Sequence, residues 1–199
     1  MRYISTRGQA PVLTFEQAML TGLARDGGLY LPESIPTLSE AQIAGMAGQS
    51  YEEIAFAVMR PFIGDTFSDE QFRGLIAEAY AGFGHAARAP LVQLDSNHFL
   101  LELFHGPTLA FKDFAMQLIG QMFQAALSRS GDRVTIVGAT SGDTGSAAIE
   151  AFRGLDAVDV YEAGHFDTAA RRQIINQPLV GHVTVDGARL PGFHAMDDQ

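Results

Sequence analysis

The sequence predicts an α/β protein with a parallel sheet, preceded by a mostly helical N-terminal domain. The helical domain is predicted from a motif that recurs through the first eighty or so residues, in which a small polar residue is followed three positions later by Glu or Gln. The α/β part rests on a short β-branched strand, residues 133–137, that leads through a glycine-rich turn into a helix ending at Phe152. Strand, turn and helix in that order are the elements of an α/β layer fold.

Four helix starts are predicted in the N-terminal half. In each, the polar side chain can accept a hydrogen bond from the new helix while the Glu or Gln bonds back to the cap residue. Residues 26–36, between the first two helices, combine two glycines with two prolines, which favours an ordered irregular crossing over a continued helix. The capping pairs are Thr14/Gln17, Ser39/Gln42, Ser50/Glu53 and Ser68/Gln71.

A glycine- and alanine-rich connection near residues 82–90 marks the predicted domain boundary. We assign residues 1–88 to the N-terminal helical domain and residues 89–160 to the first part of the α/β domain. Residues 161–199 stay unassigned, apart from a short strand and turn predicted at residues 183–187.

Two strands, a long helix and a buried strand are predicted after this boundary. The strands cover residues 90–94 and 98–104, and the turn between them contains Asp, Ser and Asn, which tolerate turn geometry. The helix follows from apolar residues at three- and four-residue steps, and Gly131 ends it.

Composition excludes several classes of function. The formal net charge is −10, and the arginines are scattered, whereas nucleic-acid binding needs a clustered basic face. No segment approaches the roughly 20 apolar residues that span a bilayer, and no signal peptide is visible. The chain has no cysteine, which suits a reducing cytoplasm, and its six histidines are too far apart to predict a metal site. We therefore expect a cytoplasmic protein without metal.

The most informative single residue is Lys112. Of the 13 basic side chains, 12 are arginine, and this one lysine lies at the start of the long predicted helix. Lysine can lose its proton and attack a carbonyl carbon, whereas arginine stays charged. The helix N-terminus disfavours the ammonium form, although Asp113 offsets that effect if its side chain points inward. An exposed lysine at a helix start is the alternative interpretation.

The loop at residues 140–145 is a candidate ligand site. It follows the predicted strand and offers hydroxyl groups, backbone amides and a helix N-terminus to an anion. Glycines such as Gly142 permit close approach of a ligand, and Thr140, Ser141 and Thr144 can reach a phosphate or carboxylate. Asp143 would orient a hydroxyl or an amine. The alternative interpretation of these residues is an ordinary strand-to-helix turn without a ligand.

Residues 101–114 and 139–145 resemble the threonine synthase family, and so do residues 26–32 and 60–65. The resemblance implies a fold-type II pyridoxal-phosphate scaffold, with pyridoxal 5'-phosphate held by Lys112. It implies conversion of O-phospho-L-homoserine and water to L-threonine and phosphate, with Lys112 as the base. It also implies that Asp143 binds the cofactor and that the substrate is bound by Thr140, Ser141, Gly142 and Thr144.

The resemblance fades after about residue 160, where no counterpart of the family's second glycine-rich loop is recognisable. Three interpretations stay open: a threonine synthase, another fold-type II pyridoxal-phosphate lyase, or a truncated non-catalytic binding or interaction domain of this family. A shortened sheet would leave a strand edge and apolar surface exposed, which favours self-association.

Overall fold

The computed structural model describes residues 1–138, 142–162, 184–185 and 188–189. Helices dominate up to residue 80, and strands and helices alternate after it, as the sequence predicts. In chain order the elements are β1 (Tyr3–Ser5), α1 (Phe15–Thr21), β2 (Tyr30–Pro32), α2 (Glu40–Gly45), α3 (Tyr51–Ile63), α4 (Asp69–Tyr80), β3 (Leu91–Asp95), β4 (His98–Leu101), α5 (Asp113–Ser130), β5 (Val134–Gly138), α6 (Asp143–Phe152), β6 (Val158–Glu162), β7 (Thr184–Val185) and β8 (Ala188–Arg189).

The four predicted helix caps are confirmed. In α1, the Gln17 backbone N–H donates to Thr14 Oγ1 over 3.3 Å, and the Thr14 N–H donates to Gln17 Oε1 over 3.0 Å. The same reciprocal bonds begin α2, α3 and α4. Each cap satisfies amides that the first helical turn leaves without a partner, which fixes where the chain enters the helix.

The crossing at residues 26–36 contains a strand that the sequence prediction missed. β2 pairs antiparallel with β1, and three residues are too few for an alternating pattern to stand out. Asp26 ties this small sheet to the crossing by accepting hydrogen bonds from Ser5 Oγ and the Gln9 and Gly28 amides. Desolvation raises the pKa of the Asp26 carboxyl, but these hydrogen bonds outweigh it and hold the pKa below its ordinary value.

The predicted hairpin and the predicted strand at residues 133–137 are present with shifted ends, and a strand that the sequence prediction missed, β6, pairs with the latter. β3 and β4 pair antiparallel, but β4 ends at Leu101, and the Glu102 and His105 side chains that follow contact each other. β5 and β6 pair in parallel, and α6 is the crossover between them. The strand and turn predicted near residue 184 appear as β7 paired with β8, although the turn itself lies outside the described residues.

Two apolar cores meet at α5. The first joins α3 and α4 to α5 through buried side chains that include Phe72, Ile76, Leu118 and Met122. The second joins α5 to α6, β5 and β6 and includes the buried Leu127. The first core therefore draws on both sides of the predicted boundary at residue 88, and the division into domains stays a prediction.

None of the helices in the described ranges is both long and apolar enough to cross a membrane.

We expect Gly120→Ala to lower the free energy of unfolding by about 1–3 kcal/mol, because overpacked contacts force the backbone apart. A Cβ at Gly120 would collide with the backbone carbonyl of Ala151, where α5 crosses α6. Urea unfolding followed by circular dichroism measures the loss.

The matched control for this variant is Gly74→Ala in α4. A Cβ there meets no atom within 4 Å, so the same change should stabilise the protein by about 0.5–1 kcal/mol through helix propensity alone. Equal effects at the two glycines would contradict the close approach of α5 and α6.

Candidate cofactor-binding site

Lys112 lies at the start of α5, as the sequence predicts. It is the N-cap residue, with φ −65° and ψ −20°, and its carbonyl accepts a 2.9 Å hydrogen bond from the Met116 N–H. The side chain is half-buried, and Nζ lies 4.5 Å from the centroid of the Phe111 ring. The face of an aromatic ring attracts an ammonium group.

The adjacent carboxylate does not pair with this amine. Asp113 is 0% exposed, and both of its oxygens accept hydrogen bonds from Thr108. The Thr108 backbone N–H donates to Oδ2 and the Thr108 hydroxyl donates to Oδ1, each over 2.8 Å. Among the described residues no carboxylate forms an ion pair with Lys112. The Asp113 side chain does point inward, but its hydrogen-bond partner is Thr108.

The segment before Lys112 is a tight loop that closes onto Asp113. A Cβ at Gly106 would lie 2.5 Å from Asp113 Cβ, so only glycine fits there without a shift. The Leu109 N–H donates to the Gly106 carbonyl over 3.1 Å. Leu109 has a φ of 64°, in the left-handed region that non-glycine residues seldom adopt, and its side chain is 71% exposed. Backbone bonds and the Asp113 contact therefore hold this loop, with little help from the Leu109 side chain.

The N-terminal helices hold the other side of the lysine. The Tyr80 hydroxyl, at the end of α4, donates to the Phe114 carbonyl over 2.9 Å. Burial raises the pKa of the Tyr80 phenol, so the hydroxyl keeps its proton and stays a donor. The Gly84 N–H donates to the His105 carbonyl over 2.8 Å, and His105 Nε2 lies 2.7 Å from Glu102 Oε2.

The second candidate loop is described only in part. Thr140 and Ser141 lie outside the described residues. Gly142 is the N-cap of α6, and its carbonyl accepts hydrogen bonds from the Gly145 and Ser146 amides, of 3.0 and 3.2 Å. Asp143 is exposed and Thr144 is half-buried in the first turn.

Lys112 and the described part of the loop at residues 140–145 lie at the starts of two helices, α5 and α6, that pack against each other. α6 follows β5 directly, so its N-terminus lies at the carboxyl end of that strand, where α/β proteins bind ligands. α5 packs on α6 at Gly120 and Ala151. No hydrogen bond or ion pair joins Lys112 to Asp143 or Thr144 in the described parts of the chain.

Sequence reasoning missed two contacts beside the lysine, those of Thr108 with Asp113 and of Tyr80 with Phe114. The first had a local signal in the sequence, because Thr108 ends a Gly-Pro-Thr segment and Asp113 follows it by only five positions. The second had none, because Tyr80 and Phe114 are 34 residues apart.

Comparison with known proteins identifies the family. A family model described as "Threonine synthase N terminus" matches residues 2–80. Threonine synthase of Pseudomonas aeruginosa is 56% identical over 161 residues, which are 81% of this chain and 34% of that protein. The chain belongs to the threonine synthase family. Threonine synthase of Schizosaccharomyces pombe is 41% identical over 199 residues, 93% of this chain and 39% of that protein.

Solved threonine synthases share the fold. The crystal structure of pyridoxal-phosphate-bound threonine synthase from Brucella melitensis matches with a TM-score of 0.80 and 56% identity, over 82% of this chain and 35% of that one. Yeast threonine synthase matches with a TM-score of 0.77 and 40% identity, over 82% and 35%. The predicted fold class is therefore confirmed, as part of the threonine synthase fold. The chain spans about a third of the length of the relatives it matches.

The residues near Lys112 fit attachment of pyridoxal phosphate. A carbonyl-binding cofactor needs a primary amine that is partly shielded from water and not paired with a carboxylate, and Lys112 meets these conditions in the part of the chain that the structure describes. The neighbouring Asp113 carboxylate accepts its two hydrogen bonds from Thr108. No cradle for the cofactor phosphate can be assigned within the described ranges.

Tyr80→Phe should lower the free energy of unfolding by about 0.5–1.5 kcal/mol, because it removes one buried hydrogen bond and leaves the Phe114 carbonyl without that donor. Tyr30→Phe is the matched control, since the Tyr30 hydroxyl donates to the Pro11 carbonyl at an exposed position. Thermal and urea unfolding measure both variants. An equal or larger loss for Tyr30→Phe would count against Tyr80 as the anchor of α5.

Proposed function

We propose that this chain contributes the lysine-bearing part of a pyridoxal-phosphate site and acts in the conversion of O-phospho-L-homoserine and water to L-threonine and phosphate. The observation that carries the proposal is the environment of Lys112, the only lysine of the chain: a half-buried amine at the N-terminus of α5 with its neighbouring carboxylate occupied by Thr108. Membership of the threonine synthase family supports the substrate and the reaction.

The chemistry assigns Lys112 two tasks. Bound pyridoxal phosphate supplies an electron sink for the charge that develops on substrate carbons. The Lys112 amine holds the cofactor's aldehyde carbon in the resting protein and, once free, carries protons to and from substrate carbons on Nζ. Over the whole reaction the Cγ–O bond to phosphate breaks, and water supplies the hydroxyl at Cβ.

The loop at the start of α6 would bind the ligands. We assign Asp143 to the cofactor, and Gly142 and Thr144 to the substrate, together with Thr140 and Ser141 beyond the described residues. The helix N-terminus favours an anionic group there. The partner is thus a small phosphorylated amino acid. The acidic composition argues against nucleic-acid and membrane partners, and the absence of cysteine suits a cytoplasmic protein.

A non-catalytic binding or interaction domain is the second candidate. It is favoured by the coverage of only about a third of the relatives' length, since the rest of those proteins has no counterpart among the matched residues. Another fold-type II pyridoxal-phosphate lyase is a third candidate. The names of the relatives favour threonine synthase over it.

Mixing the chain with pyridoxal phosphate and reducing with borohydride should attach the cofactor to Lys112. Peptide mass spectrometry locates the adduct, and only the terminal amine can compete. Lys112→Arg keeps the charge but should lose the adduct and the visible absorbance, because arginine does not condense with the aldehyde.

Phosphate release from O-phospho-L-homoserine, with threonine as product, then tests turnover. An adduct without turnover supports the binding-domain candidate. If the reduced pyridoxal-phosphate adduct of the unmodified chain is found only on the N-terminal amine, the proposed cofactor site is wrong.

We also propose that the chain self-associates through the β3–β4 hairpin. Both faces of this hairpin carry exposed apolar side chains, among them Leu91 at 62%, Leu94 at 66% and Phe99 at 55% exposed. Within the described residues each of these strands pairs only with the other, so each keeps an outer edge.

Sedimentation velocity should show association that strengthens with salt, because salt screens repulsion between chains of formal charge −10. Leu94→Glu should weaken association, whereas Ile43→Glu on α2, an apolar residue exposed to a similar degree, should leave it unchanged. A monomer at all salt and protein concentrations would rule out this use of the hairpin.

A further inference from the structure

We propose that Asp113 is a positioning residue for Lys112, acting through Thr108. The pair, which we call the Thr108–Asp113 clamp, fixes the loop before α5 and so sets where the Lys112 amine meets a carbonyl ligand. The inference deepens the proposed function and rests on it, since it names how the chain prepares its lysine.

The first argument is the use of both carboxylate oxygens. Asp113 follows Lys112 directly in the chain, and side chains at adjacent helix positions do not face each other. Its Oδ1 and Oδ2 each accept a 2.8 Å hydrogen bond from Thr108, and the residue is 0% exposed. Burying a carboxylate is costly unless its hydrogen-bonding capacity is met, so the clamp is a specific arrangement.

The second argument is the strain of the loop that the clamp closes. Leu109 adopts a φ of 64° although its side chain is 71% exposed, so little side-chain packing holds that conformation. A Cβ at Gly106 would lie 2.5 Å from Asp113 Cβ and from Oδ2, so the loop backbone passes directly against the carboxylate. Strained backbone persists only where its surroundings determine it, and here the surroundings are the clamp.

The third argument is that the other side of Lys112 is held independently. From Phe114 onward, α5 is fixed by the Tyr80 hydroxyl and by the first apolar core. Only the segment before the helix depends on Thr108. Loss of the clamp should therefore change the place of the lysine without unfolding α5.

The test compares Thr108→Val, which removes only the hydroxyl donor, with Thr108→Ser, which restores it. Ile76→Val in the first core, a buried site away from the loop, controls for a general loss of stability. Two measurements are made on each folded protein. One is the yield of borohydride-trapped pyridoxal phosphate on Lys112. The other is the acetylation rate of Lys112 relative to the Met1 amine, which needs no cofactor.

We expect Thr108→Val to lower the trapped yield roughly 10-fold, as misplacement of a reacting group does, and to raise the Lys112 to Met1 acetylation ratio because the half-buried amine is released. Thr108→Ser and Ile76→Val should match the unmodified chain in both measurements. An unchanged acetylation ratio in Thr108→Val overturns the clamp, as does the same change in Ile76→Val. If the unmodified chain traps no cofactor, the proposed function fails, and the acetylation ratio alone decides the clamp.

Discussion

The packing of α5 into two apolar cores is the constraint on which the rest of the structure depends. One part of the helix completes the core built by α3 and α4, and the other completes the core of α6, β5 and β6. Ile119 packs against both. A helix held on two sides cannot slide or rotate without opening one of the cores, because protein interiors are packed as densely as crystals. The position of Lys112 at its start is thereby fixed relative to both.

This constraint explains how rigid and reactive parts can be adjacent. The residues that follow Lys112 are anchored, Asp113 by Thr108 and Phe114 by Tyr80. Within the described residues the lysine amine forms no ion pair, and it lies 4.5 Å from the centroid of the Phe111 ring. Fixed backbone with a free side-chain terminus is the arrangement that covalent attachment of a ligand requires, since the reacting atom must move while its attachment stays in place.

Opposing forces act on the surface of this chain. A formal charge of −10 keeps copies apart, while the apolar hairpin of β3 and β4 favours burial against another surface. The matched part of the chain covers only about a third of the relatives' length, and within the described residues the parallel sheet of β5 and β6 has two strands, which is small for an α/β protein. The described part of the fold therefore has apolar surface still available for contact.

The sequence by itself determined the features that depend on neighbours a few residues apart. The four capping boxes, the end of α5 at Gly131 and the strand predicted at residues 133–137, which the structure places one residue later, follow from bonds between residues three or four apart or from local backbone preference. The sequence also predicted that Lys112, the single lysine, lies at the start of a helix. Only the tertiary structure decided the pairing of β1 with β2 and the bond from Tyr80 to Phe114. Both join residues far apart in the chain, so packing had to select partners that local sequence did not distinguish. The bonds from Thr108 to Asp113 are intermediate, because the two residues are only five positions apart but meet through a loop that contains the left-handed Leu109.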